Sequence, residues 1–176
     1  MPSKLRYAYE PDEKIDEKFE KVDKTIEKIQ EVQLPKSVLE KISSIKKREV
    51  KGDFKYDYHI TSYSFQNNRL KKTIYRKFIL NTAKGVKDNS SRYYTYSPTS
   101  SNIYVNTVSV TSPDGKSKTV SDRNAFYLTE ADDDQASEDK TLCMPVSALE
   151  PGCTVEYTLT EDYLGRYDFF PFKTHW

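Results

Sequence analysis

The chain has 176 residues, 28 of them basic and 27 acidic, for a net charge of +1 at neutral pH, and only 36% of it is hydrophobic. That length holds one domain of ordinary size whose core needs no disulfide or metal staple, and the balanced charge supplies no field to draw in nucleic acid or an anionic membrane. Mean hydropathy is −0.82, so the apolar area has to come largely from 14 Tyr, 8 Phe and one Trp, and tyrosine is expected to pack the interior.

No apolar run approaches the ~18 residues that span a bilayer, and the N-terminal stretch MPSKLRYAYEPDEK lacks the apolar segment of a signal peptide. Neither membrane insertion nor a nucleic-acid partner is expected. Residues 1–49 read as a charged helical segment. Ile15, Phe19, Val22, Ile26, Ile29 and Val32 recur every three or four positions, which puts them on one stripe of a helix. Pro11 suits its first turn and Pro35 cannot continue it, while Glu17/Lys21 and Glu20/Lys24 are acid-before-base pairs one turn apart. A helix is predicted from about Asp12 to Leu34. Two uses for it stay open: leaning on a domain, its own or a neighbour's, or self-association, for which about three heptads make a short seam. In SVLE, Ser37 followed by Glu40 reads as a capping box that opens a second, shorter helix through Ile42 and Ile45.

From Val50 the period changes to two, and residues 50–176 read as one β domain. In GDFKYDYHITSYSF, Phe54, Tyr56, Tyr58 and Ile60 share one face and Lys55, Asp57, His59 and Thr61 the other. Beyond Ile60 the large residues change parity to Tyr63 and Phe65, which predicts a bulge or bend there. NNR supplies a turn, and KKTIYRKFILN returns with Ile74, Phe78 and Leu80 on one side and Tyr75 and Ile79 on the other. NTAKGVKDNSSR reads as loop, and Tyr93, Tyr94 and Tyr96 follow in RYYTYSP. NIYVNTVSV is a β-branched strand closed by SPDG, where Pro113, Asp114 and Gly115 take the second to fourth positions of a type I turn. A hairpin into KSKTVS, a short strand NAFYLTE and the acidic stretch EADDDQASED come next.

The stretch PVSALEPGCTVEYTLTEDY contains a second turn, in which Pro151 fixes φ and Gly152 supplies the positive φ of a type II turn. After it Cys153, Val155, Tyr157 and Leu159 point one way and Thr154, Glu156, Thr158 and Thr160 the other. Short strands separated by turns, with no crossover helices between them, make the fold class mainly β: an antiparallel β-sandwich preceded by one long charged α-helix and a shorter helix.

The residue types that carry chemistry are sparse. Cys143 and Cys153 are the two cysteines and His59 and His175 the two histidines. A thiol nucleophile needs a base within hydrogen-bond reach and a group that orients it, and no motif surrounds either cysteine. Cys153 on an apolar strand face reads as an inert core thiol. The four residues lack the close paired spacing of structural zinc, so no catalytic, metal-binding or cofactor-binding residue is assigned and no cofactor is expected. A disulfide between Cys143 and Cys153 stays open, because strands flanking the turn could bring them opposite each other. The acidic stretch lacks the alternating ligands and distal Glu of an EF-hand and reads as a solvated loop. Tyr163, Tyr167, Phe169, Phe170 and Phe172 are too many for one strand's inner face, and part of that run is expected to meet another domain.

The order NIYVNTVSVTSPDGKSKTV, a variable acidic loop, MPVSALEPGCTVEYTLTEDY and an aromatic-rich FFPF resembles the DUF3857 family over about Val50 to Trp176. That family is a β-sandwich module found just N-terminal to transglutaminase-like domains in many bacterial proteins, many of them exported. Its members continue with further strands, so the resemblance implies a module truncated at its C-terminal end. It also implies a non-catalytic accessory role, positioning or covering a papain-like thiol domain or its substrate in the same polypeptide, and an extracytoplasmic location. The rival readings are a glycan- or peptide-binding module using Tyr-rich strand faces, and self-association through the N-terminal helix.

Overall fold

The computed structural model describes residues 20–21, 34–46, 51–130 and 138–168, with residues 20–21 defined by their backbone alone. Its elements in chain order are β1 (Glu20–Lys21), α1 (Lys36–Ser44), β2 (Phe54–Gln66), β3 (Arg69–Leu80), α2 (Ala83–Asp88), β4 (Ser91–Tyr96), β5 (Ser101–Thr111), β6 (Lys118–Val120), β7 (Tyr127–Glu130), β8 (Lys140–Pro145) and β9 (Thr154–Tyr163). The strands form a five-stranded sheet, β2-β3-β9-β5-β6, and a four-stranded sheet, β1-β7-β8-β4. Every pairing is antiparallel.

The period-two pattern explains why these sheets face each other. Phe78 and Leu80 of β3, Val155, Tyr157 and Leu159 of β9, and Ile103, Val105, Val108 and Val110 of β5 form one buried cluster with Leu142 and Met144 of β8. Tyr94 and Tyr96 of β4 and Leu128 of β7 pack against it from the second sheet. Each such side chain contributes about 1.5–3 kcal/mol on burial, and neither sheet can bury its face without the other. The fold is a mainly β, two-sheet antiparallel sandwich.

Tight turns set the register. Asn67 and Asn68 both take positive φ, 54° and 61°, the twist-matched conformation of a two-residue hairpin loop, and they join Gln66 to its partner Arg69. At the far end of the sheet, Gly115 N donates to Ser112 O at 2.9 Å, so Pro113 and Asp114 form the centre of the turn that closes the β5–β6 hairpin. Cys153 N donates to Glu150 O at 3.1 Å and Gly152 takes φ 91°. The Pro113 and Gly152 turns meet: a Cβ at Gly152 would lie 3.1 Å from the Pro113 Cβ.

Five local expectations change. The bulge in β2 falls between Tyr56 and Tyr58, at Asp57, rather than after Ile60. Tyr58 and Ile60 look inward by composition, but they lie on the outer face, where Tyr58 OH donates to Glu156 Oε1 at 3.4 Å. The stretch expected to be loop contains α2, capped by Thr82, whose hydroxyl accepts from Gly85 N at 3.0 Å. The capping box at Ser37 does not form: Pro35 occupies the cap position and no side chain bonds there, because the carbonyl of Pro35 already starts the helix with Val38 N at 2.9 Å. Of the helix expected over 12–34, Glu20–Lys21 is instead a two-residue strand paired with Leu128 and Tyr127, where the edge of β7 offers backbone partners that a helix would not use. The remainder of that stretch up to Gln33 lies outside the described residues, and so do Phe169, Phe170, Phe172 and the acidic core of EADDDQASED.

Candidate functional site

Both cysteines are buried free thiols. The disulfide left open by the sequence does not form, because β8 and β9 belong to different sheets and the chain crosses between them after Pro145. Cys143 lies on the outer face of the four-stranded sheet, in register with Tyr93 and Tyr127. Burial pushes its thiol up, against smaller hydrogen-bond effects from Thr129 and Tyr127, which makes it a poor nucleophile. Cys153 is fully buried in the core. His59 pairs with Arg76, while the Cys153 carbonyl bonds Leu80, four residues along β3 from Arg76, or about 13 Å of strand. Among the described residues no thiol–imidazole pair forms, and no group of three or more His, Cys, Asp or Glu could hold a metal ion.

The three tyrosines of β4 do not share one face. Tyr94 and Tyr96 pack against the core, and Tyr93 points the other way with 45% of its surface exposed, so they form no continuous exposed patch. Tyr163 ends β9 and donates from its hydroxyl to Glu161 at 3.2 Å. Tyr167 is tied through its backbone to Asn68 O at 3.0 Å.

What the strands do bring together is polar and lies on the inner face of β3. Because of the bulge at Asp57, residues Phe54, Tyr56, His59, Thr61, Tyr63 and Phe65 of β2 share the inner face with Lys72, Arg76 and Phe78. The four-stranded sheet does not cover them fully, leaving Phe54, Tyr56 and Tyr63 at 40%, 37% and 41% exposure. A groove therefore runs between β2 and β4, which is the terminal strand of its sheet among the described residues.

One end of this groove is neutralised. Glu161, 7% exposed, accepts from Lys72 Nζ at 2.9 Å, Tyr94 OH at 2.7 Å and Ser101 Oγ at 2.8 Å. Burial by itself would raise its pKa, but the hydrogen bonds from Tyr94, Lys72 and Ser101 outweigh it and hold the carboxyl below the ordinary glutamate range. The same burial and the carboxylate beside them push the Tyr94 and Tyr163 phenols far up.

The middle of the groove is not neutralised. Arg76 donates from Nε to His59 Nε2 at 2.9 Å and from Nη1 to Tyr157 OH. Arg92 donates to the same phenol at 3.4 Å and to Asn89 Oδ1 at 2.5 Å. Both guanidiniums lie over the Tyr157 ring, at 5.5 and 5.3 Å from its centroid, and Arg92 also lies 5.3 Å from that of Phe78. Desolvation and then the Arg76 charge hold the pKa of His59 down, and its Nε2 is the acceptor, so the proton of the neutral ring sits on Nδ1.

Helix α2 aims Arg92. Asn89 at its C-terminal end donates to Gly85 O at 2.8 Å while it accepts from Arg92. The helix is fastened to the start of β2 by Asp53, which takes Lys84 Nζ at 2.9 Å and Thr82 Oγ1 at 2.8 Å. Nothing in the residue pattern points to this groove, since Arg76 and Arg92 stand in different motifs and Gly85 makes the helix look like loop.

These features define a β-sandwich module with a basic, aromatic groove and, among its described residues, no assembled nucleophile and base. The chain belongs to the DUF3857 family, described as a domain of unknown function with solved structure, whose model matches residues 66–174. No curated protein matches it. A crystal structure described as a candidate protease from Parabacteroides distasonis is similar over 63% of this chain, with a TM-score of 0.57 and 14% identity. The match takes in 23% of that chain's length, and at this identity the likeness extends to the fold alone.

Proposed function

We propose that residues 50–176 act as a non-catalytic accessory module, positioning or covering a transglutaminase-like thiol domain, or its substrate, within a larger protein. The observation that carries the reading is membership of the DUF3857 family, whose sandwich resembles the module preceding such domains. The candidate protease supports it, since the match covers under a quarter of that chain. The burial of both thiols, with that of Cys143 pushed up by desolvation, fits a module that leaves chemistry to a neighbour. The aromatic run from Tyr163 onward is the surface expected to meet that neighbour. Among the described residues no helix is long and apolar enough to cross a membrane, and the proposed site of action is extracytoplasmic, as for many family members.

The test has two arms. The purified chain should neither hydrolyse casein nor join an amine to glutamine side chains, and Cys143→Ala and Cys153→Ala should leave that unchanged. Thiol-dependent turnover lost on either substitution would overturn the reading. In the second arm, a transglutaminase-like domain is expected in the coding sequence beyond Trp176, with turnover of a protein substrate that falls when residues 50–176 are deleted. A stop codon there, or turnover indifferent to the deletion, counts against it.

A further inference from the structure

We propose that the Arg76–Arg92 pair on the Tyr157 ring is a binding site for a carboxylate carried by an extended acidic peptide lying in the groove between β2 and β4. This rests on the groove itself and holds whether or not the accessory reading does.

The first argument is electrostatic. Both arginines reach one phenol oxygen, which brings two permanent cations within the ~4–6 Å over which like charges interact appreciably. Their partners are a neutral imidazole, a phenol and an amide; among the described residues neither arginine has a carboxylate. Lys72, on the same face of β3, has Glu161 at 2.9 Å. The fold therefore neutralises one inner-face cation and leaves two together, an arrangement that lowers stability unless an anion completes it. Each arginine uses fewer than half of the N–H donors a guanidinium carries, and Arg92 Nε is buried with no partner.

The second argument concerns what the anion is attached to. Stacking on Tyr157 and Phe78 holds both forks in place, so little side-chain freedom is lost when a carboxylate arrives. The walls beside them are apolar and exposed, with the rings of Phe54 and Tyr56 5.4 Å apart and Tyr56 packed 5.6 Å from His59. Alongside runs β4, the terminal strand of its sheet among the described residues. Val146 N donates to Ser90 O at 2.9 Å, so the even-numbered residues of β4 face β8. By strand alternation Ser91 and Thr95 turn their amides the other way. An extended chain pairing there would place alternate side chains toward the arginines. Basic forks, aromatic walls and a strand edge together fit an acidic peptide better than a free ion.

The test is a heteronuclear NMR titration of the whole chain with a blocked Val-Glu-Val-Glu-Val peptide, its Gln counterpart and inorganic phosphate. The acidic peptide is expected to shift the Arg76 and Arg92 Nε–H signals and the Ser91 and Thr95 amides. The Gln peptide should bind about tenfold more weakly or worse, as charge-assisted pairs require. Arg76→Gln should abolish the shifts at Arg92, and with one of two like charges gone its melting temperature should equal or exceed that of the wild type. Equal binding of the two peptides, or no shift at any of these signals, would overturn the proposal. So would phosphate moving the arginine signals where the acidic peptide does not, since the site would then take a free oxyanion. The wild-type titration decides the matter even if the variant folds poorly.

Discussion

Glu161 shows how a single carboxylate can join both sheets of the sandwich. Its donors come from β3, β4 and the start of β5, so ionising it ties three strands together. Removing one partner of a buried pair costs about 3–5 kcal/mol when the other charge is stranded, and here Lys72 keeps 20% of its side chain in solvent. Glu161→Gln, which preserves shape and an acceptor, is therefore expected to lower unfolding free energy by about 2–3 kcal/mol at neutral pH in urea denaturation. The pH dependence has a definite sign. The folded pKa lies below the ordinary 4.5, so the stabilisation is complete above that value and is lost as pH falls through the folded pKa. The gap between wild type and Glu161→Gln should narrow only below pH 4.5; a gap that closes between pH 7 and 6 would point to another group. At Gly152 the argument is steric. A φ of 91° and the Pro113 ring 3.1 Å from any Cβ leave a β-branched side chain no relaxed position, and Gly152→Val should cost about 2–4 kcal/mol. Equal denaturation midpoints would contradict that account of the turn.

At the scale of elements, α2 does more than connect two strands. Gly85 sits in its middle, and a Cβ there would run into the Asp53 backbone carbonyl. Gly85→Ala should therefore cost about 2–3 kcal/mol, although alanine is the better helix former by about 1 kcal/mol. It should also move the Arg92 signals in NMR spectra, because Asn89 joins the helix to that guanidinium. A stabilised Gly85→Ala variant would show that the helix has room to shift. This element also marks where the sequence became hard to read. Val155, Tyr157 and Leu159 alternate with polar neighbours, and their strand and inner face follow directly from the period of two. The six residues of α2 give too little length for a helical period to show, and the reason for Gly85 lies across the fold at Asp53. The bulge was legible as a change of parity, but its position was not. Tyr58 and Ile60 are as apolar as the inner residues, and only pairing with β3 assigns the extra residue to Asp57. The groove depended on that assignment, since it alone brings His59 to the face of Arg76.

For the molecule as a whole, the segment before α1 decides how the four-stranded sheet ends. A helix over 12–34 that self-associates predicts that deleting it lowers the mass in solution. The backbone of Glu20–Lys21 predicts the reverse. It pairs with Leu128 and Tyr127 of β7, occupying an edge that would otherwise present unpaired amides and carbonyls to another chain. Two ladder positions are worth about 1–3 kcal/mol in net hydrogen bonding, small beside a core that spans β3, β5, β8 and β9. The sandwich should therefore survive deletion of residues 1–33, with a melting temperature lower by roughly 2–4 °C for each kcal/mol lost, as for a domain of this size. Its open β7 edge should raise the tendency to associate, seen as a concentration-dependent increase in mass by light scattering. A deletion variant that stays monomeric while the intact chain dimerises would assign the segment to self-association, and one that fails to fold would show that the edge strand belongs to the core.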